Sequence, residues 1–187
     1  MKPTRADAWQ LLNEYTANRN LIKHAVAVEA AMRAYADRYG EDVEEWGIAG
    51  LLHDFDYDRF PDQHPFKGRA ILEQLLYSDE VVHAIQAHAD FTGVPRESRL
   101  DRALFSVDEL CGFIVAATLV RPGKKVGELP VKSVRKKLKD KAFARAVSRD
   151  DIIQGAEDLG VDLNEHIAFV ISAMSQVAEE LGLAGQD

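Results

Sequence analysis

Cysteine is almost absent: Cys111 is the only one in 187 residues. No internal disulfide can form, and the paired-cysteine spacings of structural zinc sites are excluded. Long apolar runs are missing too. The run Phe113 to Ala117, which none exceeds, is far too short to cross a bilayer, and the start Met1-Lys2-Pro3-Thr4-Arg5-Ala6-Asp7 leads into no apolar signal core. Positive charge is in deficit, with 23 Lys and Arg against 31 Asp and Glu for a net charge of −8. That balance argues against wholesale binding to nucleic acid, which is not an expected partner, although a local basic surface could still bind one. No internal repeat or low-complexity linker interrupts the chain. The hydrophobic share of 47% and charged share of 29% are those of a globular domain with one core. A soluble cytoplasmic protein with no membrane partner is the expectation.

Helical spacing dominates, and strand-like alternation is nearly absent. Trp9, Leu12 and Tyr15 suggest a short first helix. A long amphipathic helix over 21–39 follows, with Gly40 placed for a left-handed C-cap. The stretch 43–52 reads as a buried helix that carries His53 and Asp54 at its C-terminal end. Residues 55–65 form a loop, and His64-Pro65 opens a helix through Leu76. Ser78 is an N-cap for a helix from Asp79 to about Ala89. Residues 99–119 form the most apolar helix, expected to be central. Ser148 and Asp151 make a near capping box for a helix ending at Gly160, and 164–181 is a closing helix. The expected fold is all-α: one compact helical domain over 1–187, with a core at about 20–120 and a basic helical part at about 121–187.

Charge is unevenly placed. Between Arg121 and Arg149 there are eleven Lys and Arg against Glu128 and Asp140 alone, so this segment carries +9 and the remainder −17. A solvated helix face is the ordinary explanation, and an anion partner is the alternative.

Six histidines are present: His24, His53, His64, His83, His88 and His166. One histidine on an apolar helix is usually a hydrogen-bonded core residue. His53-Asp54, however, follows Ile48-Ala49-Gly50-Leu51-Leu52, where burying both groups unpartnered would cost on the order of 2–7 kcal/mol each. A divalent cation removes that cost by accepting the imidazole lone pair and neutralising the carboxylate. The ordered set His24, His53-Asp54 and Asp108 resembles the HD-domain superfamily of metal-dependent phosphohydrolases. Ala49-Gly50-Leu51-Leu52-His53-Asp54 looks like its signature helix end. His64-Pro65-Phe66-Lys67-Gly68-Arg69 and Ala84-Ile85-Gln86-Ala87-His88 resemble the segments that supply two further histidines in binuclear members.

The resemblance, which covers about residues 20–120, implies an all-α bundle of the HD-domain type. It implies that His24, His53, Asp54 and Asp108 bind a first divalent ion (Fe, Mn, Co, Ni, Zn or Mg). In a two-ion version, Asp54 bridges and His64 and His88 bind the second; with one ion, those two histidines contact the substrate phosphate. The presence of both favours two ions. The implied function is hydrolysis of a small phosphorylated molecule, a nucleotide foremost, with His53 and Asp54 at the catalytic centre. A di-iron oxygenase of the same fold and a non-catalytic nucleotide-sensing module are the alternatives. A homodimer is compatible with either. Many members carry a lysine soon after the His-Asp pair, whereas this chain reads Phe55-Asp56-Tyr57-Asp58-Arg59. Substrate cations are therefore sought at Lys67, Arg69, Arg96 and, foremost, the loop of Arg121 and Lys124.

Other residues receive plainer readings. His83 is structural or exposed, since it lies about 140° around the helix from His88. His166 is expected on an exposed first turn, and Glu109 to point away from the site. Asp90 is expected to be an ordinary helix-end aspartate, with orientation of a ligand histidine or of the attacking water as the alternative, and Cys111 is packing. Phe55, Tyr57, Phe60 and Phe91 either wall a base-binding pocket or pack over the helices.

Overall fold

The computed structural model describes residues 2–185. Among them are ten α-helices: α1 (Arg5–Tyr15), α2 (Arg19–Tyr39), α3 (Val43–Leu52), α4 (Phe66–Gln74), α5 (Asp79–Ala87), α6 (Arg99–Leu119), α7 (Val131–Leu138), α8 (Arg149–Leu159), α9 (Leu163–Ser175) and α10 (Ala178–Leu181). No strand occurs among the described residues, which contain one isolated antiparallel bridge between Lys125 and Ala184. The fold is all-α. No described helix is long and apolar enough to cross a membrane.

Local chemistry sets the helix ends. Thr4 with Asp7, and Ser98 with Asp101, form reciprocal capping boxes that start α1 and α6. Asp42, Ser78, Ser148 and Asp162 cap α3, α5, α8 and α9. Gly40 ends α2 at φ 70°, where a side chain would be strained.

The apolar helix α6 is central, packing against α2, α3, α5, α7, α8 and α9. Two glycines let helices approach closely. A Cβ on Gly50 would lie 2.9 Å from Met32 Cγ and 3.0 Å from the Val28 carbonyl, so α3 rides tightly on α2. A Cβ on Gly155 would lie 2.6 Å from Ser106 Cα, so α8 rides tightly on α6.

Several boundaries differ from the sequence reading. The fourth helix begins at Phe66, because His64 and Pro65 belong to the preceding turns. The fifth ends at Ala87, with His88 as its C-cap. The closing helix is broken at Gln176-Val177, where the Gln176 N–H turns back to Ala173 and Met174. Ser148 accepts the Asp151 N–H, but the side chain of Asp151 does not close the box. His166 is fully buried rather than exposed. Its Nε2–H donates to the Ser106 carbonyl at 2.9 Å and its Nδ1 accepts from Tyr35 Oη at 2.5 Å, tying α9 to α6 and α2. Burial lowers its pKa, keeping the ring neutral.

Candidate metal centre

Four helices and one turn deliver the donors. His24 comes from α2, Asp108 from the middle of α6, and His53-Asp54 from the end of α3. His64 comes from the turns before α4, and His88 from the end of α5. His24, His53 and Asp108 form one group of converging donor atoms, and Asp54, His64 and His88 form another. In the first, Asp108 Oδ1 lies 2.9 Å from His24 Nε2 and 3.4 Å from His53 Nε2. In the second, Asp54 Oδ1 lies 3.2 Å from His64 Nε2 and 3.4 Å from His88 Nε2. Asp54 spans the two groups, because its Oδ2 is 3.4 Å from His53 Nε2.

Hydrogen bonds on the far side of three rings fix which nitrogen faces inward. His53 Nδ1 donates to the Gly50 carbonyl at 2.8 Å, and His88 Nδ1 to the Ile85 carbonyl at 2.5 Å. Both histidines sit just past a helix end, where carbonyls three residues back lack intrahelical partners. His64 Nδ1 donates to Asp56 Oδ1 at 2.6 Å. In the neutral ring each of these inward Nε2 atoms is therefore a lone pair, and each faces a carboxylate oxygen that is also an acceptor. His53 Nε2 is buried with no hydrogen-bond partner. Such facing acceptors repel unless a cation lies between them, and this mixed N/O donor set suits a divalent ion.

The HD domain family model matches residues 21–111, which include His24, both residues of the His-Asp pair, His64, His88 and Asp108. Residues 21–111 are an HD domain. Ribonuclease Y of Lawsonia intracellularis (strain PHE/MN1-00) is 29% identical over 90 residues, covering 46% of this chain. The match spans 17% of that protein's length. No solved structure matches the chain.

The electrostatics of the HD domain follow from the facing donors. Burial pulls the His53 pKa down, but the charges of Asp54 and Asp108 outweigh it and hold it well above the ordinary value. Burial also opposes charge on His64, yet Asp54 and Asp56 raise its pKa to about 9. Conversely, burial favours the protonated form of Asp54 and Asp108, while His53 and the neighbouring histidines push both well below the usual carboxylate range. Without a metal, the raised values favour protons on the inward nitrogens of His53 and His64. A metal ion would replace them.

Beside the donors is a cavity of about 490 Å³ whose wall includes Tyr57, Phe91, Phe105, Asp90, Glu109 and Asp151. No lysine or arginine lines it among the described residues. The sought substrate cations lie elsewhere. Arg69 pairs with Glu73 at 2.8 Å, and Lys67 is exposed with its Nζ 5.5 Å from the Phe60 ring centre. Arg121 and Lys124 follow the end of α6, and Arg121 is about 20 Å along the helix axis beyond Asp108. Arg96 lies behind the wall, paired with Asp90 at 2.6 Å and stacked on Phe105.

Sequence reasoning missed three residues. Glu109 faces the cavity, held by the Ser148 N–H at 2.9 Å, and burial raises its pKa. Asp151 joins it because it is one turn from Gly155 on the α8 face that meets α6. Asp56 is not loose charge near the ions: it is 1% exposed and committed to His64 and to the Gly68 N–H, at 2.6 Å each. A helix-period reading of 148–155 could have found Asp151. Nothing local marked Asp56. Among the aromatics, Phe55 is core, while Tyr57 and Phe91 reach the cavity. His83 sits 3.2 Å from Asp101. Burial raises the Cys111 thiol pKa well above its usual value, which suits an inert packing residue.

Proposed function

We propose that the chain is a metal-dependent phosphohydrolase acting on a small phosphorylated molecule, a nucleotide foremost, in the cytoplasm and as one domain. One observation carries this reading: the inward Nε2 atoms of His53, His64 and His88, their Nδ1 atoms already committed, face carboxylate oxygens at 3.2–3.4 Å, a juxtaposition that suits cations. His24, His53, Asp108 and Asp54 would hold a first ion, and Asp54, His64 and His88 a second. Divalent ions held there would supply hydroxide near neutral pH and would neutralise charge on a phosphoryl group.

The remaining roles fall to the chain's own groups. With no cationic side chain in the cavity wall, a phosphate is drawn to the donor cluster and not to its surroundings. Tyr57 and Phe91 offer exposed ring surface against which a base can stack. Glu109 Oε2 is occupied by the Ser148 N–H, which leaves Oε1 to hand a proton to the leaving oxygen.

The test is metal analysis of the purified protein with a screen of mono-, di- and cyclic nucleotides under Mn, Co, Ni or Fe. A metal-to-protein ratio near two is expected. Hydrolysis should fall roughly 100-fold or more in His53→Ala and Asp54→Ala, given the usual size of the metal-ion contribution. Unchanged activity in either variant defeats the proposal, and turnover strictly dependent on O₂ moves the site to oxygenase chemistry.

A further inference from the structure

The structure sorts the eleven cations of 121–149 into those it uses and those it leaves free. Lys125 pairs with Glu128 at 2.8 Å, and the Lys137 ammonium sits 4.2 Å from the Phe143 ring centre. Arg149 donates to the carbonyls of Ala144, Val147, Asp140 and Phe143, so it holds the 140–149 turns together. The other eight, Arg121, Lys124, Lys132, Arg135, Lys136, Lys139, Lys141 and Arg145, make no ion pair, side-chain hydrogen bond or ring contact among the described residues, and Lys132, Arg135, Lys136 and Lys139 are set apart by place. These four, with Val131 and Asn164, line a single open concavity of about 500 Å³ between α7 and the start of α9.

Their spacing is i, i+3, i+4, i+7, which places all four in one stripe about 10 Å long. The other face of α7 is anchored by Val134, which is fully buried, and by Leu138, which packs on the core. Helix stability does not account for the stripe. Lys132–Lys136 and Arg135–Lys139 are like-charge i, i+4 pairs, which destabilise a helix. Favourable interaction with the helix C-terminus covers only the last turn, and Lys132 stands in the first, where a cation is disfavoured. A bound anion removes each of these costs.

We propose that this concavity binds the phosphate backbone of a single-stranded nucleic acid, independently of the metal centre. A 10 Å row of four cations, two turns of helix long, matches successive phosphates. A protein partner would need an apolar or aromatic anchor at its centre. The concavity has no aromatic side chain and only the half-buried Val131 as an apolar one, and no large apolar side chain between residues 121 and 149 is strongly exposed. Outside 121–149 the chain carries −17 and repels a strand, so contact is confined to this basic segment and is sequence-independent.

The experiment is fluorescence anisotropy of the full chain with labelled 12-nucleotide RNA and DNA of one mixed sequence, at 50 to 200 mM KCl. With up to four phosphates neutralised, log K against log[salt] has a slope near −3, a loss of roughly 50-fold over that range. Lys132→Gln, Arg135→Gln, Lys136→Gln and Lys139→Gln combined should weaken binding at least tenfold at 50 mM and flatten the slope, with far-UV circular dichroism unchanged. The combined Lys132→Arg, Lys136→Arg and Lys139→Arg variant should bind as the parent does. Parent-like binding by the Gln variant overturns the assignment. So does a preference beyond tenfold for RNA over DNA, or displacement by poly-glutamate at equal charge. Loss of binding only in His53→Ala places the strand at the metal centre, which also overturns it while leaving the hydrolase reading intact.

Discussion

At the scale of single residues, the position of His64 depends on Asp56. The carboxylate takes the Nδ1–H of His64 and the Gly68 N–H, which directs the ring's Nε2 at Asp54. A Cβ at Gly68 would lie 2.9 Å from the Asp56 carboxylate, so this contact depends on glycine. Asp56→Asn keeps the shape but weakens the charge-assisted bond and lets the ring present the wrong nitrogen. Affinity for the second ion should then fall by about 10–100-fold, read by calorimetric titration of the metal-free protein, while the first ion still binds. Equal affinity at both positions would deny Asp56 this role. Glu109→Gln should lower kcat most for substrates with poor leaving groups and leave metal content unchanged, which kinetics on an aryl phosphate series would show.

Between elements, glycine contacts set how closely the helices approach. Gly155 lets α8 touch the α6 backbone at Ser106, and this closeness carries Asp151 to the cavity wall that also includes Asp108. Gly155→Ala forces the helices apart because its obstacle is a main-chain atom. The expected cost is about 1–3 kcal/mol, the usual size for overpacking, measured by urea denaturation. An unchanged midpoint would show that α8 yields without strain. The helices themselves were legible beforehand, since capping residues and 3.6-residue spacing are local signals. Boundaries near His64, His88 and Val177 were not, because they follow from side chains that contact distant elements.

For the molecule as a whole, the donor cluster links stability to pH and metal. The folded pKa of His64, about 9, lies above its unfolded value, and His53 shifts the same way. Their stabilisation is complete below about pH 6.5 and is lost as pH rises through 9. Asp54 and Asp108 shift down, so their contribution is lost only in strong acid and stays constant over this window. The chelator-treated protein should lose on the order of 3 kcal/mol between pH 6.5 and 9.5, seen as a Tm lower by roughly 5–10 °C. Metal-loaded protein should show the reverse trend in affinity, since binding displaces protons. A flat Tm profile without metal would mean that the inward nitrogens are not proton sites.

By itself the sequence determined the all-α fold, most helix starts, and the order of histidines and aspartates that marks an HD domain. Those are properties of spacing along the chain, which neighbouring residues dictate. Only the tertiary structure decided which donor atoms face one another, that Glu109 and Asp151 share the cavity wall, and that Lys132, Arg135, Lys136 and Lys139 line one concavity. Charge compensation and ring orientation are settled by atoms tens of residues apart, and their proximity exists only once α2, α3, α5, α6 and α8 have packed.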